Sequence, residues 1–423
     1  MERKLPIMGW IIPLPSIKKT DQKTQKQTKA PALIIVIPCH NEPDLITTLN
    51  SLAECQQPKN PVQVRVVINA AQDAAQDIVE QNQATLKATQ NWIAQQQKTN
   101  NLEIIIHNED NLPPKHAGVG LARKIGMDEA AHYYKKSGYK NGPIICLDAD
   151  CTVEKNYLTS LIEHFKKHPK TPGCSINYAH PLDNLTQQHR LGIAAYELYL
   201  RYYRQGLKWA GHPAAYHTVG SSMAVRADIY LAQGGMNRRK AGEDFYFLQK
   251  IIALGGFSEI FTTQVNPSPR SSLRVPFGTG RAIDEWLTGD DTIRLTYDPN
   301  VFKDLKQFFQ QSHRLYQKNI EPNSQALNEY LEEAKFSQAM DKIRDNTTSA
   351  QMCEKKFYHW FNPFRALKFI HHASNHHYKK IPIENASQTL WGWLGQAEPK
   401  NRDVESWLLS YRKFEVEQAN NKQ

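Results

Sequence analysis

Pro143-Ile144-Ile145-Cys146-Leu147-Asp148-Ala149-Asp150 passes from a Gly-Pro breaker (Gly142-Pro143) through a short apolar run into two aspartates. A continuous apolar run bounded by turn residues is the pattern of a strand buried on both faces of a parallel sheet. In an open α/β sheet, ligands collect beyond the carboxyl ends of the strands, and Asp148 and Asp150 occupy that end. At i and i+2 of an extended chain both side chains leave from the same face. Two neighbouring carboxylates repel unless a cation joins them, and oxygen donors of this kind suit Mg²⁺ or Mn²⁺. The plainer alternative is a strand end followed by a helix start, since acidic residues are favoured in a first helical turn and Thr152 and Glu154 open such a pattern.

Working outward, strand and helix patterns alternate on both sides of this run. Leu33 to Ile37 is a second buried strand, ending at Pro38-Cys39-His40-Asn41-Glu42. Leu45, Ile46, Leu49 and Leu52 follow at helical spacing. Val62 to Ile68 is a strand ending at Asn69. A Gln/Ala-rich helix spans about 73–98, Ile104 to His107 is another strand, and Arg123 to Lys135 is helical. Alternation at this spacing predicts a doubly wound sheet, parallel over this half, with right-handed crossovers. Further on, Leu191 to Trp209 is an aromatic-rich helix, His217 to Arg226 a strand containing Gly220-Ser221-Ser222, Phe245 to Leu254 a helix, and Ile260 to Val265 a short strand. Beyond Ile283 the chain is helical and more polar, with no further strand signal. Residues 17–30 are a polar Lys/Gln-rich linker. The expected organisation is therefore an N-terminal segment (1–30), an α/β unit (31–282) and a helical C-terminal region (283–423).

The chain has 423 residues and a formal net charge of +10. That charge calls for an anionic partner: nucleic acid, anionic lipid or a phosphorylated substrate. No module interleaving aromatic and basic residues in the manner of a nucleic-acid reader appears in the first two thirds, so nucleic acid is set aside. No run approaches the roughly 18 apolar residues of a membrane span. The apolar piece Ile7 to Ile12 is cut short by Pro6, Pro13 and Pro15 and is followed by no small-residue cleavage site, against a signal peptide. The six cysteines contain no CxxC pair, consistent with reduced, core-like residues in a cytoplasmic protein. His371-His372 and His376-His377 have no Cys or acid at ligand spacing and are expected at the surface.

Three features recur in a fixed order: Pro38-Cys39-His40-Asn41-Glu42, Asp148-Ala149-Asp150, and Gly242-Glu243-Asp244-Phe245, the last preceded by Gly220-Ser221-Ser222-Met223-Ala224-Val225-Arg226. In this order and at these distances, residues 31–270 resemble glycosyltransferase family 2. The resemblance implies a GT-A fold, a doubly wound mixed sheet, here with a mainly helical C-terminal extension. It implies a nucleotide-sugar donor, a saccharide or lipid-linked acceptor, a divalent cation (Mg²⁺ or Mn²⁺) and inversion at the sugar carbon. By the same resemblance Glu42 contacts the nucleoside, and Asn69 stands where the family has a base-reading aspartate. Gly118-Val119-Gly120-Leu121-Ala122-Arg123 matches the loop flanking the diphosphate, so Gly118 and Arg123 join the donor site. Asp148 meets the ribose or the metal, Asp150 holds the metal, and Asp244 is the base, with Glu243 beside it toward acceptor or diphosphate. Asn69, and Lys124 where the family often has Asn, depart from the pattern.

Elementary chemistry supports the same division of labour. An inverting transfer needs a carboxylate to take the acceptor's proton and positive charge to offset the leaving diphosphate. The alternative for Glu243-Asp244 is simple stabilisation of a helix N-terminus, worth about 0.3–1 kcal/mol. Arg270, Arg274 and Arg281 lie in a Pro/Gly-rich loop that could close on phosphate as a lid or serve as a linker. Other readings of the whole are a retaining GT-A transferase, a sugar-nucleotidyltransferase, or a non-catalytic nucleotide-sugar-binding protein or membrane scaffold. Finally, Lys355 to Lys380 carries six Lys/Arg and no acid, interleaved with Phe357, Tyr358, Trp360, Phe361, Phe364, Leu367, Phe369 and Ile370. Either these aromatics face a core, or the segment makes peripheral contact with the inner face of an anionic membrane.

Overall fold

The computed structural model describes residues 30–96, 101–272, 278–318, 320–322 and 324–421. The N-terminal segment before residue 30, and Arg274 in the Arg-rich loop, lie outside these residues. One eight-stranded mixed sheet organises the first two thirds. In chain order its strands are β1 (Leu33–Cys39), β2 (Val62–Ala71), β3 (Leu102–Leu112), β4 (Pro143–Cys146), β5 (Thr152–Val153), β6 (Gly173–Tyr178), β7 (Met223–Arg226) and β8 (Ser258–Asn266). Their spatial order is β3-β2-β1-β4-β7-β6-β8-β5. β3, β2, β1 and β4 are parallel neighbours, with Ile34 opposite Ile144 and Val36 opposite Cys146. β7 is antiparallel to both β4 and β6. The expected mixed, doubly wound sheet is present.

The apolar runs behave as strands because both faces are covered. Leu33, Ile35 and Ile37 pack with Leu45, Leu49, Tyr157 and Leu161 on one side. Ile34 and Val36 pack with Met127, Ala130 and Tyr134 on the other. That is the period-2 alternation of a strand, and each such side chain contributes about 1.5–3 kcal/mol on burial. The helix Val119–Lys136 approaches β1 so closely that a Cβ on Gly126 would lie 2.4 Å from Val36 Cγ1. A side chain at 126 would push the helix off the sheet.

Several local expectations need correction. The strand foreseen over 217–226 is only Met223–Arg226 and runs antiparallel, because residues 217–222 form the loop under the cleft. Thr152 does not open a helix: Thr152–Val153 pairs with β8, and the helix starts at Tyr157. β6 was not foreseen. Two two-residue strands, β9 (Leu295–Thr296) and β10 (Ile381–Pro382), pair antiparallel within the C-terminal region.

That region is otherwise helical, and it shares its core with the sheet unit's longest helix, Gln187–Ala210. Ile193, Leu198 and Tyr202 of that helix pack in one cluster with Phe302, Phe308, Phe357, Phe361, Phe369 and Trp407. Phe357, Phe361, Phe369 and Ile370 are fully buried, so the apolar half of the basic-aromatic segment is core. All six cysteines are buried, and none is in a disulfide. Among the described residues, no helix is long and apolar enough to cross a membrane.

Candidate functional site

β1 and β4 are neighbours, yet the chain leaves them in opposite lateral directions. At that switch point the loops beyond the strand ends part and leave a crevice. A cleft of about 750 Å³ opens there, lined by Glu42, Asn69, Gly118, Arg123, Asp148, Asp150, Glu243, Asp244 and Arg270. Every described residue assigned to the site from the sequence thus comes to one cavity, from six separate stretches of chain.

Each is fixed by local structure. Asn41 turns the chain off β1 with φ 49°, a conformation asparagine tolerates better than most residues. Glu42 is thereby buried, its Oε1 accepting the Asp44 N–H at 2.9 Å. Asn69 is also buried, and its backbone oxygen accepts from Asn82 Nδ2 at 3.0 Å. Its side-chain Oδ1, by contrast, has no hydrogen-bond partner. The Asp148-Ala149-Asp150 turn is pinned where Thr48 Oγ1 donates to the Ala149 oxygen at 2.8 Å. Asp148 and Asp150 both keep access to the cleft, with side chains 38% and 23% exposed.

Arg123 is the buried centre of charge. It donates to Glu243, and its Nη2 donates to Asp148 Oδ1 at 2.7 Å. Both carboxylates hold the guanidinium charged against the opposing effect of burial. Glu243 is therefore turned to Arg123 rather than into open cleft. Asp244 follows it at the start of the helix Glu243–Ile252, after Gly242 in the left-handed region at φ 68°. Burial first, and Glu243 second, push the Asp244 carboxyl up to about 7. A Cβ on Gly220 would lie 2.9 Å from Arg123 Nη2 and 3.0 Å from Asp244 Oδ2. Only glycine leaves room there for guanidinium and carboxylate together.

Arg270 reaches across the mouth from the Arg-rich loop. It donates to Glu42, to Asp44 Oδ2 at 3.0 Å and to Asp150 Oδ2 at 3.2 Å. Its Nε is buried without a partner. A positive group thus already stands against Asp150, as the acidic donor set requires.

Sequence reasoning missed the far wall. His180, just past β6, donates or accepts through Nε2 with Thr279 Oγ1 at 3.3 Å, and its Nδ1 is 2.9 Å from Glu197 Oε2. Glu197 and Glu415 anchor a buried network below it. Glu197 accepts from Arg201 Nε (2.8 Å) and Arg412 Nη2 (2.6 Å). Glu415 accepts from Arg201, Arg204 Nη1 (3.1 Å), Gln205 Nε2 (3.0 Å) and, at 3.2 Å, His217 Nε2. Burial alone would raise both carboxyls, but for Glu197 Arg201 foremost, and for Glu415 His217 and then Arg201, hold them below the usual range. His180 could have been noticed only if β6 had been, since its placement depends on that strand.

Comparison with known proteins agrees on the nature of the sheet unit. Residues 34–230 match the model of the family described as glycosyl transferase family 2. No curated protein sequence matches the chain. Among solved structures, TarS 1–349 of S. aureus in complex with UDP-GlcNAc is 14% identical with a TM-score of 0.41, covering 92% of this chain and 91% of that one. The same protein with UDP gives 13% and 0.39 over the same shares. The longer TarS chain gives 14% and 0.37, with 90% of this chain and 55% of that chain covered.

Proposed function

We propose that this glycosyltransferase, with its family 2 segment at residues 34–230, moves a sugar from a nucleotide-diphosphate donor to an acceptor hydroxyl with inversion, aided by a divalent cation. The observation that carries the reading is the placement of Asp244 on a helix start in the same cleft as Asp148 and Asp150, with buried Arg123 joining Asp148 to the neighbouring Glu243. The transferase unit is taken as residues 31–282, with 283–423 closing it from below. The acceptor is a saccharide or a lipid-linked molecule.

In this reading the unpartnered Asn69 Oδ1 accepts from a nucleobase N–H, and Glu42 meets the ribose. An amide at this position offers donor and acceptor, so base reading survives the departure from the family's usual acid. Asp148 and Asp150 supply hard oxygen donors suited to Mg²⁺ or Mn²⁺. When bound, such a cation offsets the charge developing on the leaving diphosphate. Arg270, with its unpartnered Nε, leaves Asp150 and clamps the diphosphate from the lid side. Asp244 takes the acceptor proton.

The test is nucleotide binding with and without Mn²⁺, followed by thermal shift. Asp150→Asn is expected to remove the Mn²⁺ dependence while the fold survives. Arg270→Ala frees Asp150 and should tighten Mn²⁺ binding in the absence of nucleotide by about tenfold, or ~1.4 kcal/mol, while weakening the nucleotide. Equal nucleotide affinity in wild type and Asp150→Asn, with and without Mn²⁺, removes the cation from the reading.

A further inference from the structure

The helices Gln325–Glu333 and Pro363–His376 pack against one another in the C-terminal region. Three ligand-type side chains meet between them: Glu329 on the first, His372 on the second, and His377 at the second's end. His377 Nε2 lies 2.8 Å from Glu329 Oε2, and His372 Nε2 lies 3.9 Å from the same oxygen. The three ligand atoms all fall within 4.8 Å of one another. Around a tetrahedral zinc with bonds of about 2.0–2.1 Å, ligand atoms stand about 3.3–3.4 Å apart. The two measured separations bracket that value, so small side-chain rotations would suffice.

A second observation singles out His372. Its Nε2 is buried and has no hydrogen-bond partner, which is unusual for a buried polar atom. Its other nitrogen, Nδ1, faces Glu333 Oε2 at 3.6 Å. Metal-bound imidazoles are commonly oriented by a carboxylate facing their second nitrogen. Here that carboxylate is in place while the first nitrogen makes no hydrogen bond.

We propose that Glu329, His372 and His377 bind a divalent transition-metal cation, Zn²⁺ by the chemistry of two imidazoles and one carboxylate, with water in the fourth position. The cation ties two helices together and takes no part in transfer. His372 lies eight residues along its helix from Phe364, about 12 Å at 1.5 Å per residue. Phe364 is the residue whose ring meets Tyr246 on the helix carrying Asp244. The sequence hid the site because its acid comes 43 residues before His372. His371 is an internal control: its Nε2 is engaged by the Tyr297 hydroxyl at 2.8 Å, outside the cluster.

The test uses the full chain carrying Asp150→Asn, so that the acidic pair in the cleft does not confuse the count. After chelator treatment it is titrated with Zn²⁺, and separately with Co²⁺ as a spectroscopic probe. One retained equivalent of Zn²⁺, a tetrahedral Co²⁺ absorption spectrum and a raised melting temperature are expected. Each should persist in His371→Ala and disappear in His372→Ala/His377→Ala. Glu329→Gln, at a partly exposed position, should keep the metal-free melting temperature and weaken Zn²⁺ at least about tenfold. Failure to retain Zn²⁺, or Zn²⁺ binding in the Glu329→Gln or double-histidine protein as tight as in the parent, overturns the proposal and leaves an ordinary His377–Glu329 ion pair.

Discussion

Asp244→Asn is expected to lower sugar transfer by about 10²–10⁴-fold, the usual worth of a general base, with donor affinity nearly unchanged. The substitution keeps the size of the side chain and the acceptor of the Phe245 N–H, now held by Asp244 Oδ1 at 2.7 Å. What it removes is basicity. Burial and the neighbouring Glu243 push this carboxyl up to about 7, so the wild-type rate should rise with pH through about 7 and level off above it. The same displacement bears on stability. A carboxyl whose folded pKa lies above its unfolded value binds a proton more tightly when folded. Its favourable contribution is complete below about pH 4 and is lost as pH rises through about 7. At pH 8 wild type therefore carries a buried repulsion that the amide relieves. Asp244→Asn should melt at or above the wild-type temperature there. A lower melting temperature at pH 8 would sink the repulsion argument, and a product of retained anomeric configuration would sink the base assignment.

Arg123→Met is expected to be the most destabilising single change in the cleft, by about 3–5 kcal/mol. Removing one partner of a buried ion pair strands the other charge without water, and Glu243 is only 2% exposed. The same change releases Asp148, whose Oδ1 it now engages at 2.7 Å, and nucleotide binding should fall with it. Adding Glu243→Gln to Arg123→Met should restore much of the stability, because no unpaired charge then remains between the two helices. The melting temperatures of the two single variants and the double variant complete the cycle. Strict additivity would mean the pair is not coupled.

The fold was legible where burial makes its pattern simple. β1 and β4 are covered on both faces and read as unbroken apolar runs, and the acids that follow them marked the cleft, while β2 was legible from its valines despite Gln63 and Arg65. β6 was not legible: Gly173-Cys174-Ser175-Ile176-Asn177-Tyr178 mixes small and polar residues, and its place comes from pairing with β7 and β8. The helix Tyr157–Lys167 did carry a signal, since Leu158, Leu161 and Phe165 stand at helical spacing, but it lay beside the acidic pair that dominated the reading. Asp244 and the Asp148–Asp150 pair were found because each sits in a local motif. The His180–Glu197–Arg412 wall was not, because its members are joined only by tertiary packing. The basic-aromatic segment illustrates the limit of composition. Lys355 and Lys356 are exposed, whereas Phe357 is buried, and only a partner surface decides which side each takes.

The Glu415 network has a consequence for the timing of synthesis. Glu415 is added 214 residues after Arg201, and at about 5–20 residues per second that is a delay of roughly 10–40 s. Throughout that interval the nascent helix Gln187–Ala210 exists without Glu415, the acid that Arg201 and Arg204 share, and without the helix Val404–Asn420 that packs on it. Strands β1 to β8 are all made before Glu415, yet the wall beneath their cleft cannot close until Glu415 has emerged. Chains stalled so that residues up to 390 have emerged should be cut by protease within 187–210, while released full chains resist. Protection already present in the stalled chain would show that the helix settles without its late partner.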